Sequence, residues 1–306
     1  MLTRAPFADP QITANGEPRA WAPFAGLATL WLNTGTLCNL TCANCYIESS
    51  PTNDRLIYLT RADVRACLDE IARDALPTRE IGLTGGEPMM NPEIVAMLGD
   101  ILGRGFDTLL LTNAMKPLRH KRDALLALDR AHPGKLHVRV SVDHFTRELH
   151  EEERGPRSWA QMIEGLKWLA ANGFDLTAAG RTRWGEDEAA LRAGYAALFE
   201  HERIAIDAHD PRRLVLFPEM DGRDVPEITT ACWDILGKRP EDLMCASSRM
   251  VVRRKGQAAA SVVACTLLPY DNRFDFGATL ADAARAVPLN HPDCARFCVL
   301  GGGSCL

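Results

Sequence analysis

Residues 27–46 read Leu27-Ala-Thr-Leu-Trp-Leu32, then Asn33 to Leu37, then Cys38-Asn-Leu-Thr-Cys42-Ala-Asn-Cys45-Tyr46. An apolar run thus leads into three cysteines spaced by three and two residues. Thiolates are soft ligands suited to iron–sulfur clusters, zinc or copper(I). Three of them within eight residues can hold three corners of one metal centre and leave a fourth open. On a [4Fe–4S] cluster an open corner is a place where a small molecule can coordinate. Ten cysteines in 306 positions would produce this spacing by chance only about 0.01 times per chain. The alternative is half of a zinc site.

Working outward, the chain alternates strand and helix. Phe24 to Asn33 reads as the first strand. Thr60 reads as a helix N-cap with Asp63 in a capping-box variant. Val64, Cys67, Leu68 and Ile71 then form one buried helical face, which makes Cys67 a core cysteine. Further strands are expected at Glu80–Thr84, Phe106–Thr112, Leu136–Val142, Phe174–Gly180 and within 203–216. Helices are expected after Asn91-Pro92, over 118–131, after a Ser158 cap, and over 186–200. Some six β–α repeats imply a parallel α/β sheet with right-handed crossovers. Past residue 217 the alternation stops, and residues 232–306 carry six of the ten cysteines. The expected organisation is an N-terminal arm (1–23), an α/β domain (24–216) and a cysteine-rich α+β domain (217–306). With four prolines, the arm reads as a loose segment draped over the domain.

The cysteine spacing resembles the cluster motif of the radical S-adenosylmethionine (SAM) enzymes. That resemblance implies a partial (β/α)6 barrel in which Cys38, Cys42 and Cys45 hold a [4Fe–4S] cluster. SAM would chelate the open iron and be split reductively to a 5′-deoxyadenosyl radical, which takes a hydrogen atom from the substrate. Asn44 stands where family members often have an aromatic residue, and Tyr46 follows the last cysteine.

Parallel α/β folds deliver functional residues at the C-terminal ends of their strands. Gly85-Gly86-Glu87-Pro88 follows the second strand and resembles the family element that holds the SAM amino group. Asn113 ends the third strand; it reads as a ligand contact or a strand-end turn. Ser141 and Asp143 end the fourth strand and resemble the family's Ser-x-Asp, with Asp143 alternatively holding Arg154 or His144. Arg154 lies in a loop where the family often has Arg-Gly; Arg181 and Arg183 compete with it for the SAM carboxylate. Tyr46 completes the candidate SAM-binding set. No residue is identified as a catalytic acid, base or nucleophile. His144, His150 and His209 have no ligand spacing and read as surface or core residues.

Cys245, Cys265, Cys294 and Cys298 resemble the ligands of a "twitch" domain, a shortened SPASM domain carrying one auxiliary [4Fe–4S] cluster. Cys305 is an alternative ligand and zinc an alternative metal. Cys232 reads as a core or reactive thiol. The resemblance implies two [4Fe–4S] clusters, SAM as cofactor and a reductant of flavodoxin or ferredoxin type. The expected function is a radical SAM oxidoreductase performing a net oxidation of a small molecule, on the argument that a short arm holds no peptide-recognition domain. Alternatives are a peptide maturase making a thioether, crosslink or epimer, and a non-catalytic iron–sulfur or zinc protein.

A net charge of −5 gives no reason to expect nucleic acid or an anionic membrane as partner. The apolar-rich run from Ala258 to Leu268 is too short to span a bilayer. Cysteine content without a recognisable signal segment points to the cytoplasm.

Overall fold

The computed structural model describes residues 5–220 and 224–304. Its strands are β1 (Trp21–Ala22), β2 (Thr29–Asn33), β3 (Glu80–Thr84), β4 (Asp107–Thr112), β5 (Leu136–Asp143), β6 (Asp175–Arg181), β7 (Leu214–Phe217), β8 (Ser248–Val252), β9 (Ser261–Val263) and β10 (Val287–Pro288). Six of them, β2 to β7, lie side by side in sequence order, all parallel. The helices between them are α1 (Arg61–Arg73), α2 (Ile94–Gly103), α3 (Lys116–Arg119), α4 (Arg122–Ala131), α5 (Arg147–Arg154), α6 (Ser158–Ala171) and α7 (Glu188–Glu202); α8 (Cys232–Leu236) and α9 (Met244–Ser247) follow. This is the expected six-unit α/β architecture.

The sheet has two apolar faces, as helix-covered parallel sheets do. Leu30, Leu32, Ile81, Leu83, Leu110, Val138 and Val140 join the main core with the apolar stripes of α1, α2 and α6. The opposite face carries Trp31, Leu109, Met250, Val252 and Val263, packed together as a second cluster. Trp31 fits there because Gly82 lies beside it: a Cβ on Gly82 would stand 2.4 Å from the indole. A flat eight-stranded sheet would be about 34 Å across. Yet Phe217, from the β7 edge, and Thr266, just beyond β9, line one cleft. The sheet is therefore curled into an open partial barrel, and that second face is its lumen.

The C-terminal segment adds to this same sheet. β8 runs parallel to β2, from Thr29↔Ser248 to Leu32↔Val251, and β9 closes an antiparallel hairpin on β8. The N-terminal arm is pinned, contrary to the expectation of a loose segment. Arg19 is buried and ion-paired to Glu227, and β1 pairs with β10. The capping box of α1 forms as expected. Three helix starts differ. Ser158 is the first residue of α6, whose cap is Arg157 in a left-handed conformation. The helix after Pro92 begins at Ile94, because the Asn91 side chain is used to bind Thr34 O, Leu59 O and the Glu93 amide. The 118–131 helix is split into α3 and α4.

Candidate functional site

The loop after β2 is held by the residues that follow β3 and β4, by the end of β6 and by α5. Gly86 N donates to Gly35 O and Glu87 N to Leu37 O, so the Gly85-Gly86 turn lies directly against the cysteine loop. A Cβ on Gly86 would stand 2.2 Å from Leu37 O, and one on Gly85 2.5 Å from Gly35 O. These glycines are required by close backbone approach. Gly86→Ala is expected to cut SAM cleavage about 100-fold by displacing the loop. Gly103→Ala, where a Cβ meets nothing within 4 Å, is the neutral control; equal rates for the two variants in a 5′-deoxyadenosine assay would refute this reading.

Cys38, Cys42 and Cys45 line one cleft of ≈ 1070 Å³, open to solvent. Tyr46, Gly85, Gly86, Asn113, Ser141, Asp143, Arg154 and Arg181 line it too. Glu87 is placed differently from expectation. Its carboxylate is buried behind the wall, accepting from Thr112 Oγ1 at 2.8 Å, Asn113 N at 2.7 Å and Met89 N at 3.0 Å. Burial pushes its pKa up. Its role here is to tie the ends of β3 and β4 together.

Asp143 lines the cleft with its charge already matched. Arg154 Nε donates to Asp143 Oδ2 at 2.5 Å, and Arg181 Nε stands 3.5 Å from Oδ1. Burial opposes ionisation of Asp143, but the two guanidiniums outweigh it and hold its carboxyl low. Arg183 points elsewhere, to Glu219 at 3.3 Å, which leaves Arg181 as the cleft residue of that pair. Arg181 also covers the Tyr46 ring, 4.7 Å from its centroid.

The departure at Asn44 has a local explanation. Glu153, fully buried, accepts from Asn44 N at 2.9 Å and from Asn44 Nδ2 at 2.8 Å. Glu153 thereby fixes the loop between Cys42 and Cys45, a role that its acidic run concealed in the sequence. Tyr46, in the cleft wall, donates to Pro218 O and packs edge-on against Phe217 and Phe297. Of the histidines, His144 bonds Thr146 and Glu186, His150 is buried against Val142 O, and His209 is exposed.

Two polar atoms were not anticipated. Asn33 Nδ2 and Ser49 Oγ are buried without a hydrogen-bond partner, and both residues line the cleft. A buried donor left unpaired is costly, so both fit a polar ligand in the cleft. Asn33 ends the first strand, a position that the strand-end rule could have flagged; Ser49 carried no signal.

The second cysteine set surrounds a separate cavity of ≈ 390 Å³. Cys245, Cys265, Cys294 and Cys298 line it with Leu243, Leu268 and other apolar residues. Cys245 lies on α9, before β8, and Cys265 just after β9, so a hairpin delivers both. Cys294 and Cys298 share a π-helical segment, Cys294–Leu300, about one turn apart and hence on one face. The three-residue spacing suits that turn. Cys232, half-buried at the start of α8, does not line the cavity, and Cys305 lies outside the described residues.

Both donor sets fit iron–sulfur clusters. Burial, with Glu87 nearby, pushes the Cys38 thiol up to about 12. Burial pushes Cys42 and Cys245 up to about 11. Such thiols ionise only against a strong local cation such as iron. Among the described residues no three His, Cys, Asp or Glu side chains converge on a single-ion site. The thiols of each set instead line a cavity together: Cys38, Cys42 and Cys45 the cleft, and Cys245, Cys265, Cys294 and Cys298 the second cavity.

Among the described residues no helix is long and apolar enough to cross a membrane. Residues 32–181 match the family described as Radical SAM superfamily. The chain is 30% identical over 138 residues to the antilisterial bacteriocin subtilosin biosynthesis protein AlbA of Bacillus subtilis (strain 168), covering 45% of this chain and 29% of AlbA. It is 29% identical over 141 residues to a GTP 3′,8-cyclase of Pseudomonas fluorescens (strain Pf0-1), covering 46% of this chain and 40% of the cyclase. The chain thus matches less than half the length of either relative. In fold it resembles native anSMEcpe with bound AdoMet, with a TM-score of 0.60, 12% identity, and coverage of 86% and 82% of the two chains.

Proposed function

We propose a specific reaction for this chain, which belongs through residues 32–181 to the radical SAM superfamily: hydrogen-atom abstraction from a substrate C–H bond, completed as a net two-electron oxidation. A [4Fe–4S] cluster and SAM, the cofactors of the family, supply the reductive cleavage that yields the 5′-deoxyadenosyl radical. Cys38, Cys42 and Cys45 would hold the cluster. Gly85, Gly86, Asn113, Ser141 and Arg181 would seat SAM. Asp143 and Arg154, matched to each other, would orient rather than neutralise it. Asn33 and Ser49 offer their unpaired polar groups to whatever fills the rest of the cleft.

One observation carries the oxidation. Leu267 lines both cavities, next to Thr266 in the cleft wall and close to Cys265 in the other. The two cavities therefore share a wall in the segment 265–267. An electron leaving a substrate radical would have an acceptor on the far side of that wall, the auxiliary cluster held by Cys245, Cys265, Cys294 and Cys298. Arg249 supports an anionic occupant there. It is buried, donates to four main-chain carbonyls including Cys245 O, and lies over the rings of Phe24 and Phe276. Negative sulfur beside it would offset the cost of burying that charge.

A peptide substrate is the second reading of the same chemistry, favoured by the likeness to AlbA, a bacteriocin biosynthesis protein. The deciding experiment is turnover with deuterated candidates, both small molecules and peptides. The true substrate should pass deuterium into 5′-deoxyadenosine. Rapid 5′-deoxyadenosine formation with no label from a substrate that is itself consumed would rule out direct abstraction.

A further inference from the structure

A second groove, of ≈ 1160 Å³, lies outside the cleft and shares no lining residue with it. Its wall includes Asn39 and Leu40, which stand between Cys38 and Cys42. Its rim carries Lys116, His120, Lys121 and Arg157. None of its lining residues is acidic, in a chain whose net charge is −5. Lys116, His120 and Arg157 are exposed. Between the basic side chains the floor is apolar, made by methionine, proline and leucine side chains. From this floor Asn39 reaches inward: its Oδ1 accepts from Asn113 Nδ2 at 2.9 Å, and Asn113 lines the cleft.

We infer that this groove is the docking face for an acidic electron-carrier protein that reduces the N-terminal cluster. The inference rests on the assignment of Cys38, Cys42 and Cys45 as cluster ligands. A basic rim around an apolar floor complements a carrier that presents carboxylates around an exposed cofactor edge, and such complementarity governs encounter rate. The separation from the cleft favours a carrier over a substrate. A substrate must bring a C–H bond into the cleft, whereas an electron need only cross the loop that bears the ligands. In the step, one electron leaves the carrier, taking a flavin hydroquinone to its semiquinone, and enters the cluster; no atom is transferred.

The test is stopped-flow reduction of the reconstituted holoenzyme, wild type against Lys116→Glu/Arg157→Glu, at matched iron content. The two reductants are flavodoxin hydroquinone and reduced methyl viologen, a small cation. At low ionic strength the flavodoxin rate should fall about tenfold or more in the variant. The deficit should shrink as salt screens the rim, and the viologen rate should hold. Equal flavodoxin rates for the two proteins would overturn the inference. So would a variant that keeps its flavodoxin rate but loses viologen-driven substrate turnover, which would make the groove a substrate face. A wild-type protein that viologen cannot reduce would instead defeat the cluster assignment itself.

Discussion

Replacing Cys42 with alanine is expected to abolish formation of 5′-deoxyadenosine, with turnover falling to the background of the enzyme-free mixture. Cys42 is one of three thiols lining the cleft, and it sits beside the Asp143–Arg154 pair. Removing it takes away a third of the ligand set in a loop with no spare cysteine, so partial compensation is not expected. Cys67→Ala is the matched control, since that thiol packs on α1 against the core, away from the cleft. Anaerobic reconstitution followed by product quantification reads both variants. Persistent cleavage in Cys42→Ala would show that the loop does not hold the reactive cluster.

Replacing Cys265 with alanine is expected to lower iron from about eight to about four atoms per chain while SAM cleavage survives. Cys265 faces the second cavity, and its neighbour Thr266 faces the cleft. The variant should therefore still generate the radical and abstract hydrogen, but fail to complete the oxidation, returning 5′-deoxyadenosine without oxidised product. Iron near four in the unmutated protein would remove the second cluster. Oxidised product at the normal yield in Cys265→Ala would remove its role as electron acceptor.

Much of this was readable in the sequence because its signals are local. The cysteine spacing, the strict strand–helix alternation and the glycine pair after a strand each depend on a few adjacent positions. The cleft residues Ser141, Asp143 and Arg181 were findable because strand ends converge in a parallel sheet. What was missed depends on partners distant in sequence. Glu87 looks like a ligand contact in isolation, and only the Thr112 and Asn113 donors show that its carboxylate is already used. Glu153 stands in an acidic run, Glu151 to Glu153, and only its bonds to Asn44 show that its carboxylate is buried and used. The pinned N-terminal arm depends on Glu227, more than two hundred residues along the chain. Charge on the outer groove was equally hidden, because Lys116 and Arg157 meet Leu40 only in the fold.

The parallel ladder between β2 and β8 has a consequence for how the protein is made. While the ribosome works through the intervening residues, at 5–20 per second, the edge formed by Leu30, Trp31 and Leu32 waits roughly 10–40 s for its neighbour. An apolar edge left open that long is a template for pairing with other chains. A nascent chain halted near residue 217 would expose it indefinitely. Until Ser248–Val251 emerges, that edge must stay shielded if the chain is to fold without pairing with others.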